Sequence, residues 1–140
     1  MTYLVEDLYK FHSERLGLEL VAGNEGLKRR IWIPEAHRPG LTLSGYLKGH
    51  TDRRIVIFGK VEIGYLRDLD PTTRTKRLEA ILGSSSATPA VIVARRYVPP
   101  KELVLLCERN HIPLFSYEYD YDEFVGKAYL IAYRGVFSKY

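Results

Sequence analysis

Cysteine is nearly absent: Cys107 stands alone among 140 residues and cannot form an internal bridge, which excludes a disulfide-built secreted fold and favours a reducing compartment. Long apolar runs are absent as well. The longest are strand-length pieces such as Ile55-Val56-Ile57-Phe58, far below the roughly 20 residues that span a bilayer. Glu6, Asp7 and Lys10 interrupt the region where a signal peptide would carry its apolar stretch. The chain is therefore expected in the cytoplasm, with no membrane partner. Concentrated charge is missing too. The 21 Lys and Arg against 17 Asp and Glu leave a net charge of only +4. The basic residues fall in small groups, Lys28-Arg29-Arg30, Arg53-Arg54 and Arg95-Arg96, which read as solvated surface. A nucleic-acid binder gathers its cations on one face with aromatics between them, so nucleic acid is not an expected partner.

Phosphate-binding loops fail at the residues that do the chemistry. Gly40 and Gly45 have P-loop spacing, but Tyr46-Leu47 stands where a lysine and a hydroxyl residue must follow. Gly59 and Gly64 fail at Tyr65, and Gly126-Lys127 lacks its earlier glycine because position 121 is Tyr121. Without the lysine nothing reaches the terminal phosphates, and without the hydroxyl nothing holds magnesium. No G-x-G-x-x-G fingerprint occurs either. The four histidines, His12, His37, His50 and His111, lack metal-site spacing, so no metal is expected. Cys107 follows Leu103 and Leu106 at the spacing of a core thiol.

What is present is a hydrophobic content of 46%, enough to build a core in a single domain spanning 1–140. Leu4, Leu8, Phe11 and either Leu16 or Tyr9 predict a helix from Leu4 to Leu16, ended by Gly17. Leu18 to Val21 reads as a strand, paired through the turn Gly23-Asn24-Glu25-Gly26 with Ile31-Trp32-Ile33. After a loop at Pro34 to Gly40, the segment carrying Leu41, Leu43, Tyr46 and Leu47 fits a short helix or an irregular stretch. Strands are then predicted at Ile55–Phe58, Ala90–Ala94 and Ile112–Phe115. Helices are predicted from Lys60, from Asp70-Pro71 to Gly83, from Pro99-Pro100 to Arg109, and from Asp120 to Arg134, where Glu123 has capping-box spacing. Apolar strands alternating with helices mean an α/β fold with a mostly parallel sheet, helices on both faces, and an antiparallel element at one edge.

In such sheets ligands lie outside the carboxyl ends of the strands. Polar residues follow three of these ends: Glu35, His37 and Arg38; Lys60 and Glu62; Arg95 and Arg96. These can converge on an anion or effector, and a small-molecule-binding protein or enzyme built on His37, Arg38, Lys60 and Glu62 is the alternative. Tyr117, Tyr119 and Tyr121 alternate with acids and suit an edge strand or a stripe covered by another subunit.

In chain order, several short motifs add up to more than any one of them. They are Gly23 to Gly26; Arg38-Pro39-Gly40-Leu41 with Leu43, Gly45 and Tyr46; Gly59-Lys60 with Glu62 and Tyr65-Leu66; Pro89 with Ile92; Pro100 with Glu102-Leu103; and Ile112-Pro113-Leu114. Together they resemble the N-terminal domain of HPr kinase/phosphorylase over nearly the whole chain. The resemblance implies a cytoplasmic bacterial protein with a fold like the first domain of the UDP-muramoyl peptide synthetases. It further implies that ATP, magnesium and catalysis belong to a C-terminal domain with a Walker A loop. That domain phosphorylates a serine of HPr, the phosphotransferase-system protein of carbon catabolite repression. The present residues then form a non-catalytic regulatory or assembly domain without a cofactor of its own, with HPr, the kinase domain or a second copy as candidate partners. The match marks Arg38, Gly40, Lys60 and Glu62 as positions to test and assigns them no role.

Overall fold

A computed structural model describes residues 3–31, 36–37, 39, 53–120 and 122–124. The first helix, α1 (Val5–Leu16), starts where Asp7 reaches back to accept a hydrogen bond from the Leu4 amide at 2.9 Å. It stops at Gly17, whose φ of 71° is the left-handed conformation that ends helices. Val5 and Leu8, three positions apart and so on one face, are both fully buried.

Of the partner segment expected at 31–33, only Ile31 is among the described residues; strand β1 (Leu18–Ala22) follows α1. It pairs antiparallel with β5 (Leu114–Tyr117), Leu18 opposite Tyr117 and Leu20 opposite Phe115. The turn after β1 lies against the chain that enters β5. Gly23, at φ 72°, opens a 3-10 turn (Asn24–Gly26) pressed so closely on the 111–113 backbone that a Cβ on Gly23 or Gly26 would overlap the carbonyls of Ile112 or His111. The chain then returns to the start of α1, where the Ile31 amide donates to the Tyr3 carbonyl and the Val5 amide to that of Arg29. Trp32 and Ile33 lie outside the described residues, as does the 41–47 segment.

The sheet has five strands in the order β1-β5-β4-β3-β2, with β2 at Ala36–His37, β3 at Ile55–Phe58 and β4 at Val91–Val93. All neighbours from β2 to β5 are parallel, and β1 is the antiparallel edge. Every residue of β3 and β4 is buried, which requires cover on both sides. Ile55, Ile57, Ile92, Phe115 and Tyr117 pack on the side of α1. Val56, Phe58, Val91, Val93 and Leu114 pack on the other side, under α2 (Lys60–Asp68), α3 (Pro71–Leu82) and α4 (Lys101–Arg109), which contribute Leu66, Leu78 and Leu103 among others.

Local chemistry sets the helix ends. Asp70 accepts from the Thr73 amide at 3.1 Å and Pro71 takes the first helical position. At the end of α4, His111 adopts φ 54° and the Ile112 amide donates to the Cys107 carbonyl, a left-handed helix closure. Residues 111–113 are thereby consumed by the closure, and β5 runs over 114–117 rather than the expected 112–115. Asp120 accepts from the Glu123 amide at 3.0 Å, the expected cap, and 122–124 are helical. The remainder of that expected helix, to Arg134, lies outside the described residues.

Two arginines act as clamps. Arg29, expected as solvated surface, instead donates to the carbonyls of His111, Ser86, Thr88 and Asn110 at 2.8 to 3.1 Å, and its half-burial lowers its pKa. Arg74 donates to the carbonyls of Leu66, Arg67 and Leu69 at the end of α2 and pairs with Glu102 at the start of α4. Cys107 is fully buried, as a core thiol is, and burial pushes its pKa up to about 12. Among the described residues, no helix is long and apolar enough to cross a membrane.

Candidate functional site

Parallel register brings the carboxyl ends of three strands level: Phe58 lies opposite Val93, and Val93 opposite Ser116. The residues that follow these ends enclose a cleft of about 200 Å³. Gly59 and Lys60 come from the start of α2, Ala94, Arg95 and Tyr97 from the turn after β4, and Asp120 and Asp122 from beyond β5.

Each wall is held by its own backbone chemistry. Glu62, only 3% exposed, reaches back so that its Oε1 accepts from the Gly59 amide at 2.8 Å, which pins the first turn of α2. That leaves the positive end of the helix dipole beside Lys60. After β4 the chain makes a 3-10 turn (Ala94–Arg96) with two successive left-handed arginines, φ 50° at Arg95 and 53° at Arg96. Non-glycine residues pay for that conformation in steric strain. The Arg95 amide donates to the Tyr119 carbonyl at 2.8 Å, tying this turn to the chain after β5.

Of the residues expected to converge, Lys60 and Arg95 share the cleft. Both are exposed, and among the described residues neither side chain has a hydrogen bond or ion pair. Arg96 turns the other way, its Nη1 lying 3.2 Å from Glu19 Oε2 and 3.3 Å from Ser116 Oγ, over β1 and β5. Glu62 serves as the helix cap just described. His37 sits in β2 opposite Val56, on the side of β3 away from β4. Arg38 and Gly40 lie outside the described residues.

Asp120, Asp122 and Tyr97 line the cleft and were not singled out for it. The sequence marks Asp120 as a helix cap, which it is. Only the shift of β5 to 114–117 brings residues 120 and 122 to the strand-end edge. The same shift breaks the tyrosine stripe: Tyr117 is fully buried in an interior strand, Tyr119 is 43% exposed, and Tyr121 lies outside the described residues. Tyr117 packs edge-on against Tyr119 and Phe124, with ring centroids 5.8 and 5.2 Å away.

Comparison with known proteins points one way. The family described as HPr Serine kinase N terminus matches residues 4–130. HPr kinase/phosphorylase of Listeria welshimeri is 36% identical over 102 residues, 73% of this chain and 32% of that protein. The HPr kinase/phosphorylase of Bacillus subtilis is 31% identical over 101 residues, 72% of this chain and 32% of its own length. The match thus spans about a third of the curated relatives. A family match over nearly the whole chain, on a mostly parallel α/β sheet with one antiparallel edge, places this protein in the HPr serine kinase N-terminal family.

Proposed function

We propose that this chain is a non-catalytic regulatory and assembly module of HPr kinase/phosphorylase, and that it senses a small anionic effector in the strand-end cleft. The observation that carries the reading is the pair of cations, Lys60 and Arg95, unpartnered among the described residues and lining one cleft at the carboxyl ends of adjacent parallel strands. This is where open α/β sheets bind ligands. The start of α2 adds a positive dipole end to the same wall.

On this reading ATP, magnesium and phosphate transfer to a serine of HPr belong to the two-thirds of the relatives' length that the match does not reach. The 140 residues contain no Walker A loop to cradle a triphosphate. An enzyme built on His37, Arg38, Lys60 and Glu62 is disfavoured because the Glu62 carboxylate is buried and engaged with the Gly59 amide. HPr, the kinase domain or a second copy are the partners such a module would contact, from a cytoplasmic location.

Titrating inorganic phosphate and a sugar phosphate while following thermal unfolding tests the reading. At millimolar ligand the melting temperature should rise, and Lys60→Ala should remove the rise. An unchanged melting temperature with both ligands would contradict it.

A further inference from the structure

The cleft carries both signs of charge, and among the described residues no ion pair is made by Lys60, Arg95 or Asp122. Lys60 and Arg95 stand on the walls made by β3 and β4, Asp120 and Asp122 on the wall beyond β5. Four charged side chains line one cleft of about 200 Å³, yet no ion pair joins either cation to either acid. Local bonds hold the two walls. The Arg95 backbone is fixed in its left-handed turn and bonded to the Tyr119 carbonyl, and Asp120 is fixed by capping the Glu123 amide. The backbone brings the two walls side by side, with the four charged residues on the lining of the cleft. A bare anion seated on Lys60 and Arg95 would face two carboxylates across the cleft, and a bare cation on the acids would face two cations.

A ligand carrying both charges satisfies all four groups. Resting on the anion-sensing reading above, we infer that the cleft takes a small zwitterion. Its anionic group lies between Lys60 and Arg95, and its ammonium lies against Asp120 and Asp122. The cleft is smaller than the pockets that enclose drug-sized molecules, which suits a ligand of amino-acid size. The Tyr97 side of the lining offers a less polar wall for the link between the two charged ends.

Two ligands with the same anionic end separate the possibilities. O-phosphoethanolamine carries a phosphate and an ammonium, and ethyl phosphate carries the phosphate alone. In calorimetric titrations of the whole chain, O-phosphoethanolamine should bind about tenfold more tightly. Asp122→Asn, an isosteric change at an exposed position, should abolish that advantage without weakening ethyl phosphate, and Lys60→Ala should weaken both. Equal affinities, or an advantage that survives Asp122→Asn, would overturn the zwitterion while leaving the anion reading in place. Failure of both ligands to bind would overturn the two together.

Discussion

The Tyr117 hydroxyl is buried and has no hydrogen-bond partner among the described residues. A buried donor left unmade costs roughly 1–3 kcal/mol, while the ring packs against Tyr119 and Phe124 whether or not the hydroxyl is there. Tyr117→Phe should therefore raise stability by about 1 kcal/mol in chemical denaturation. Burial pushes the same phenol from its ordinary 10.0 up to about 12, with Glu123 and Asp120 adding to the shift, and pushes the Cys107 thiol from 9.0 up to about 12. Both groups stay neutral in the folded chain after the unfolded chain has begun to release its protons. Their contribution is complete below about pH 9 and is lost as the pH climbs toward 12. Tyr117→Phe should flatten the upper part of that loss, between about 10 and 12. An unaltered slope would mean the phenol ionises equally well in both states. Arg95 tests stability against binding. Arg95→Gly relieves the left-handed strain at φ 50°, so it should stabilise the fold by about 1 kcal/mol. It should also abolish the thermal response to phosphate. A variant that is both less stable and still responsive would refute the role given to that side chain.

Elements are joined here by backbone contact and by arginine clamps more than by loops. Arg74→Met strips donors from three carbonyls at the end of α2 and leaves Glu102 without its partner. A loss of about 2–3 kcal/mol is expected in denaturant titrations. Gly26→Ala puts a methyl into the His111 carbonyl, and unfolding or a loss above about 3 kcal/mol should follow. These features explain what the sequence disclosed and what it withheld. The helices from Val5, Lys60, Pro71 and Lys101, and the strands at 55–58 and 91–93, were legible because their signals are local: apolar spacing, a capping Asp70, Pro71, and uninterrupted β-branched runs. The partner of β1 was not legible. Glycines at 23 and 26 look like a hairpin turn, and nothing local says they are there to admit the 111–113 backbone. The start of β5 was missed because His111, not a glycine, takes the left-handed position that closes α4. The site followed the same pattern. Lys60 and Arg95 could be placed from strand ends alone, whereas the turn of Arg96 toward Glu19 and the arrival of Asp120 and Asp122 depend on tertiary register.

At the scale of the molecule, a parallel sheet covered on both faces leaves its strand ends as the natural ligand site, and three of those ends meet at one cleft. The chain belongs to the HPr serine kinase N-terminal family, and its 140 residues contain no Walker A loop; on the proposed reading, catalysis lies outside them. Incubated with ATP, magnesium and HPr, the chain alone should yield no phosphoserine by mass spectrometry. A phosphorylated HPr would put catalysis back into this domain. The most direct measurement is amide chemical-shift mapping of the isotopically labelled chain during titration with inorganic phosphate. The shifts should concentrate at Gly59 to Val61, Ala94 to Tyr97 and Tyr119 to Asp122, around the strand-end cleft. Shifts confined to other surfaces, or none at millimolar phosphate, would contradict the assignment of this cleft as the domain's binding site.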